Sequence, residues 1–312
     1  MIDGVVRTDD VTNARLVLGT AQLGMPYGIA NHLGKPDFST AIEIIRMAWE
    51  NGIREFDTAQ AYGESERVLG NALSDLGISQ QAKIITKMDP HVDLKDEKAV
   101  KLAAEKSLEN LRVNRLYGLM LHRDECLCLS EERLEKIIDC LVHDGFVMQM
   151  GISVYTPDKG MQAVDSGMFD LIQVPANVLD RRFDQAGVFM RAAQKQVKIY
   201  IRSIFLQGLL LMSAAQIPPE MGFVRPLLAS FEQLSGAIGR SRRQIALSYI
   251  KFRFPEAMIL FGAETPQQVK ENVDAWSETP SISWMACLEE AFDRVDESIV
   301  DPRLWPTPAI KD

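Results

Sequence analysis

Four titratable residues stand where short apolar runs of this sequence give out. Asp57 closes the run REFD, and Tyr62 follows it in FDTAQAYGESE. Lys87 ends KIITK, and His122 ends LYGLMLH. A free phenol titrates near pH ~10, too high to give up a proton readily at neutral pH. A lysine ammonium against the phenol favours phenolate and is expected to lower that value. A lysine buried alone would lose its own proton, so an aspartate beside it keeps it charged. A histidine at the same mouth can donate a hydrogen bond to a carbonyl oxygen. Such an acid suits carbonyl reduction, with a nicotinamide giving hydride to carbon while the tyrosine protonates oxygen.

That chemistry requires the four residues to meet, so the elements carrying them must be neighbours. Strand-like runs are expected at Leu16–Thr20, Arg54–Thr58, Lys83–Lys87, Tyr117–His122, Gln149–Ser153, Asp170–Val174, Lys198–Ser203 and Met258–Gly262. Most are apolar through the middle without strict alternation, which suits parallel strands covered on both faces. Amphipathic segments separate them, with start signals at Ser39, Ser65, Ser130, Pro157, Ser241 and Thr265-Pro266. This alternation predicts an α/β fold, a closed (β/α)₈ TIM barrel in which catalytic groups project from C-terminal strand ends. The competitor, an open doubly wound sheet, normally carries G-x-G-x-x-G after its first strand, and GTAQLGMPYG does not match it. Extra helices are expected after strand seven, near Leu227–Ile238, and in the tail, around Met285–Val300. The expected organisation is one domain over residues 1–312, with a barrel core of about 15–276 and a C-terminal tail of 277–312.

The stretches GIREFDTAQAYGESERVLG, ITK and LMLH resemble the aldo-keto reductase superfamily. The resemblance implies this barrel and a catalytic set of Asp57, Tyr62, Lys87 and His122, with Tyr62 as general acid/base. It also implies a nicotinamide cofactor held along the later strands. Ser153 and Gln173 are similar to the residues that take the carboxamide, and Gly19, Thr20 and Asp57 flank it. Arg202 stands where many members place a stacking aromatic residue, followed by Ser203, Phe205 and Gln207 in the loop expected along the pyrophosphate. FGAETPQQVKEN is similar to the adenosine-end motif, through Thr265 at a helix start and Glu271 and Asn272 as adenine contacts. Gly262 and Gln268 occupy positions where basic residues usually clamp the 2′-phosphate, and Glu264 adds negative charge. NADPH is the cofactor expected, with NADH as the second candidate. Gln22, Tyr27, His122 and Arg123 are the substrate candidates. LGTAQLGMPYGIAN and YIRSIFLQGLLLM resemble a bacterial subgroup associated with sugar or polysaccharide biosynthesis, so a carbonyl or sugar substrate is expected. Two other readings stay open: a nicotinamide-binding regulatory protein with little turnover, and a hydrolase or aldolase using Lys87 as a Schiff-base nucleophile.

The rest of the composition sets bounds. The chain has 312 residues, 46% hydrophobic and 25% charged, with a net charge of −9. No basic run is present to grip nucleic acid. Cys126, Cys128, Cys140 and Cys287 make neither a disulfide framework nor a zinc-ligand spacing. Asp3, Asp9 and Asp10 interrupt any signal-like apolar stretch, and no run is long enough to span a membrane. A soluble cytoplasmic protein without a metal is the expectation; oligomeric state is left open.

Overall fold

The computed structural model describes residues 13–278 and 282–306. Asp3, Asp9 and Asp10, and the last residues of the Pro-rich terminus, lie outside the described residues. Eight strands form the centre: β1 (Leu16–Gly19), β2 (Glu55–Asp57), β3 (Lys83–Met88), β4 (Leu116–Leu121), β5 (Val147–Ser153), β6 (Leu171–Pro175), β7 (Lys198–Arg202) and β8 (Met258–Gly262). Each pairs in parallel with its sequence neighbour, and β1 also pairs with β8, so the sheet closes into a barrel. The absence of strict alternation now has its cause, because both faces of every strand are covered. Val17, Ile85, Met120, Leu171, Tyr200 and Leu260 pack inside the cylinder. Leu16, Leu18, Phe56, Ile84 and Leu119 belong to the cluster packed between sheet and helices.

The principal helices are α1 (Phe38–Glu50), α2 (Ser65–Asp75), α3 (Glu97–Leu111), α4 (Glu131–His143), α5 (Pro157–Ser166), α6 (Val188–Gln194), α7 (Arg242–Arg253) and α8 (Pro266–Ser277). Ser241 begins α7 with a reciprocal capping box to Gln244, and Thr265 caps α8 by accepting from the Gln268 N–H at 3.2 Å. Two starts differ from the reading above. Asp37, rather than Ser39, caps α1 through the Thr40 N–H at 2.7 Å. Ser65 is the first residue of α2, and its hydroxyl is engaged elsewhere.

The expected extra helix after β7 is present as Arg225–Ile238. The expected tail helix is broken. It runs Ile282–Ala291, stops, and resumes as a single turn at Glu297–Val300 capped by Asp296. Phe292 sits edge-on to Phe231 at the break, with ring centroids 5.9 Å apart. A buried aromatic contact anchors the tail at that point to the Arg225–Ile238 helix, which helical periodicity alone does not signal.

Candidate active site

Asp57 and Lys87 reach the same buried point from adjacent strands. Lys87 Nζ donates to Asp57 Oδ1 at 2.6 Å, to the Thr58 carbonyl at 3.1 Å and to the Tyr62 hydroxyl oxygen at 3.3 Å. Its side chain is 1% exposed and that of Asp57 4%. Gln173 donates to the other carboxylate oxygen at 2.8 Å, so both oxygens of Asp57 are held. All three ammonium hydrogens of Lys87 have acceptors or partners, which leaves no free amine for a Schiff base.

The loop bearing Tyr62 is fixed from below. A Cβ on Gly24 would collide with the Tyr62 carbonyl and with the Ser65 backbone N, so the turn after β1 approaches this loop only as glycine. Gly63 turns the chain there at φ +58, a conformation that favours glycine. Ser65 then donates to the Thr20 carbonyl at 2.7 Å and accepts from the Thr58 hydroxyl at 2.9 Å, tying the loop to the ends of β1 and β2. Glu66, 4% exposed, accepts from Thr86 at 2.6 Å and Ser107 at 2.7 Å, tying it to β3 and α3. GESE is therefore a positioning device for the phenol.

His122 meets Tyr62 edge-to-face, with centroids 5.8 Å apart. Burial, then the charges of Lys87, Arg202 and Arg123, hold its imidazole down to about 4, so it is neutral near pH 7. Its Nδ1 is buried without a protein partner. The Tyr62 phenol departs from the expectation. Burial and the Asp57 carboxylate raise it well above its ordinary value, against a lowering by Arg202. Low dielectric penalises phenolate, and this outweighs the cation. Tyr62 is thus held as a neutral acid.

A cleft of about 290 Å³ opens beside this group. Tyr62, Asp57, Gln173 and Arg202 line it, together with Gly19, Thr20 and the about one-third exposed Tyr27. Ser203, Phe205 and Gln207 of the loop after β7 line it as well, with Gly262, which pairs with Gly19, and with Glu264 and Gln268 near the start of α8. Gln22, read as a substrate contact, packs across Gly262 on the β8 side. His122 and Arg123 line an adjoining cavity of about 210 Å³ on the other side of Tyr62. Ser153 is 2% exposed, registered beside Gln173. Ser153, Thr265, Glu271 and Asn272 do not form the cleft wall.

Among the cleft residues the sequence did not point to, one is a cation. Arg243, near the start of α7, lies over Phe205 at 5.7 Å and bonds both Glu271, at 2.9 Å, and Asn272. It brings a cation to the end of the cleft where Gly262 and Gln268 offer none. The only sequence signal was an arginine pair following a helix cap, which gives no direction. The segment after β7 is strained as well. Ser203, Leu206 and Gln207 all have positive φ (62, 55 or less) followed by Gly208 at +90. Left-handed non-glycine residues cost roughly 1 kcal/mol each and cluster at ligand sites.

A family model described as the aldo/keto reductase family matches residues 15–292. The chain belongs to the aldo/keto reductase family. This aldo-keto reductase is 27% identical to the aldo-keto reductase YhdN of Bacillus subtilis, over 63% of this chain and 60% of that protein. It is 27% identical to L-galactose dehydrogenase of Arabidopsis thaliana, covering 86% and 87% of the two chains. It is 24% identical to an NADH-specific methylglyoxal reductase of Escherichia coli, covering 86% and 91%. Among solved structures, the glycerol dehydrogenase AKR11B4 from Gluconobacter oxydans shares the fold, with a TM-score of 0.70 at 21% identity over 91% and 94% of the two chains. As a member, this aldo-keto reductase is an NAD(P)H-dependent oxidoreductase. Among its described residues no helix is long and apolar enough to cross a membrane.

Proposed function

We propose that this enzyme reduces an aldehyde or ketone, or oxidises the matching alcohol, with Tyr62 as the proton-transferring residue. The observation that carries the reading is a single lysine shared between a buried aspartate and the phenol beside an open cleft. The cleft lining, which joins the catalytic phenol, the strained loop after β7 and Gln268 of α8, supports a nicotinamide dinucleotide as its occupant. Gln173 and Phe205 would hold the reactive end, and Gln268 with Arg243 the phosphate-bearing end. When bound, the reduced cofactor supplies hydride to the carbonyl carbon.

The protein's own part is proton management. Tyr62 donates to the developing alkoxide, its phenolate then stabilised by Lys87, whose charge Asp57 and Gln173 maintain. Neutral His122 orients the carbonyl oxygen as a hydrogen-bond donor. Arg243 supports NADP(H), while the NADH-specific relative keeps NADH in view. Relatives named for L-galactose and L-glyceraldehyde 3-phosphate support a sugar or sugar derivative as substrate. The same reading treats the tail as part of one barrel domain, since Arg181 bonds the Glu289 carbonyl at 2.9 Å. The free cysteines suit a reducing compartment such as the cytoplasm.

Fluorescence titration with NADPH and NADH, followed by cofactor oxidation over a panel of aldehydes and sugars, tests the proposal. Micromolar cofactor binding with turnover of at least one carbonyl compound is expected. Tight binding with no oxidation of cofactor across the panel would instead support a regulatory role.

A further inference from the structure

We propose that the carbonyl substrate carries an anionic group, a carboxylate or phosphate monoester, and that Arg202 receives it against a Tyr155–Arg303 stack supplied by the C-terminal tail. The inference rests on the reductase reading above and names the substrate class for that site.

Arg202 ends β7 and lines the cleft with Tyr62. Its guanidinium carbon lies 4.3 Å from the centroid of the Tyr155 ring, and that of Arg303 lies 4.2 Å from the same centroid. The two cations are treated differently. Arg303 is neutralised by a two-pronged pairing with Asp301, whose side chain is 4% exposed. Arg202 has no carboxylate within ion-pair distance among the described residues. It donates only to the Ser203 hydroxyl and the Val154 carbonyl, both at 3.3 Å, and its Nε is buried without an acceptor. A buried guanidinium donor left unsatisfied is costly, and its planar fork matches carboxylate and phosphate oxygens.

The surroundings offer Arg202 no internal partner. Asp57 is taken by Lys87 and Gln173, Asp301 by Arg303, and Asp124 accepts from the Tyr155 backbone N–H at 3.0 Å. At the chemical end of the cleft, Arg202 is the cation that no carboxylate neutralises among the described residues. Lys87, Arg202 and Arg123 all disfavour protonation of His122, and Asp89 alone opposes them. An unneutralised guanidinium facing the cleft offers an anion a partner beside the phenol. The cofactor's phosphates are the other source of negative charge. The charge of Arg202, however, acts on Tyr62, Tyr27 and His122, the chemical end of the cleft, whereas Arg243 serves the α8 end.

Matched substrates decide the matter: succinic semialdehyde against butanal, 4-carboxybenzaldehyde against benzaldehyde, and glyceraldehyde 3-phosphate against glyceraldehyde. In the wild type, kcat/KM is expected to favour the charged member of at least one pair by about 10–100-fold, chiefly through KM. The carboxylate and phosphate pairs tell the two anions apart. In Arg202→Gln the ratio should fall to near one, whatever happens to the neutral rate. In Arg303→Ala, which leaves the cleft wall itself in place, it should fall partway. Calorimetric titration of the NADP⁺ complex with succinate reads the same site without turnover, and Arg202→Gln should abolish the binding. Equal rates for charged and neutral members, or an Arg202→Gln variant that weakens NADPH while keeping the ratio, would overturn this proposal alone. Turnover of no carbonyl compound at all would overturn the reductase reading beneath it.

Discussion

The two ends of the barrel carry the same three kinds of side chain and do opposite things with them. Glu55 and Asp57 stand two residues apart on β2, so both point into the cylinder. At the N-terminal end, Glu55 accepts from the Tyr200 hydroxyl at 2.7 Å and pairs with Lys198 at 3.2 Å and Lys83 at 3.4 Å. At the C-terminal end, Asp57 pairs with Lys87, which in turn donates to Tyr62. Tyr200 donates a hydrogen bond to the carboxylate and is fully buried. Tyr62 accepts from the lysine, and no protein acceptor among the described residues takes its own proton. A carboxylate, a lysine and a tyrosine close one end of the cylinder and arm the other. What differs is which group the phenol faces and whether a cleft adjoins it.

The largest effect expected from that difference is kinetic. Tyr62→Phe should lower kcat about 10²–10⁴-fold with cofactor affinity nearly unchanged, whereas Tyr200→Phe should leave kcat within about twofold. The second variant should instead cost roughly 1–3 kcal/mol in denaturant melts, because Glu55 loses a buried donor. Comparable turnover by the two variants would erase the distinction. A second pair separates the carboxylates. Asp57→Asn strips the counter-charge from a lysine that is 1% exposed, and a loss of about 3–5 kcal/mol is expected along with activity. Glu55→Gln should cost less, about 1–2 kcal/mol, because the side chains of Lys83 and Lys198 are 50% and 30% exposed and can be hydrated. Equal losses in urea titrations of the two variants would show that burial of the cation is not what matters.

The smallest expected effect concerns acid. The His122 imidazole is held at about 4 against an ordinary 6.5, so on acidification the unfolded chain takes up this proton first. Stability present above pH 6.5 is therefore lost progressively as pH falls to about 4. Thermal melts stepped through that window should show a shallower acid slope for His122→Asn than for the wild type. Identical slopes would place the acid sensitivity elsewhere.

The framework was legible in the sequence because it rests on periodicity. β8 was expected at Met258–Gly262 and lies there, and every other strand agrees within about two residues at its ends. That Asp57, Lys87 and His122 meet at one rim was legible because each closes an apolar run and strand ends in a barrel share that rim, with Tyr62 following in the loop after Asp57. Partnerships between distant side chains left no such trace. Gln173 was read only as a cofactor contact, and its hold on Asp57 across the barrel left no sign in the sequence. Arg243 went unnoticed because nothing in SRRQIALSYI indicates that its guanidinium turns toward Glu271 and Asn272. The sign of the Tyr62 shift was misjudged because residue types reveal a neighbouring cation but not the depth of burial that outweighs it.

Closure of the cylinder between β1 and β8 has a consequence for biosynthesis. Leu16 pairs with Ile259, and Arg15 donates to the Phe254 and Ala257 carbonyls while stacking over Trp276. As the ribosome releases the chain, the outer edge of β1 waits unpaired until its partner emerges some 240 positions later. An open parallel sheet of that size presents a sticky margin to other nascent chains. Chaperone demand in vivo should accordingly peak late in translation, and shorten abruptly once residue 262 has cleared the exit tunnel.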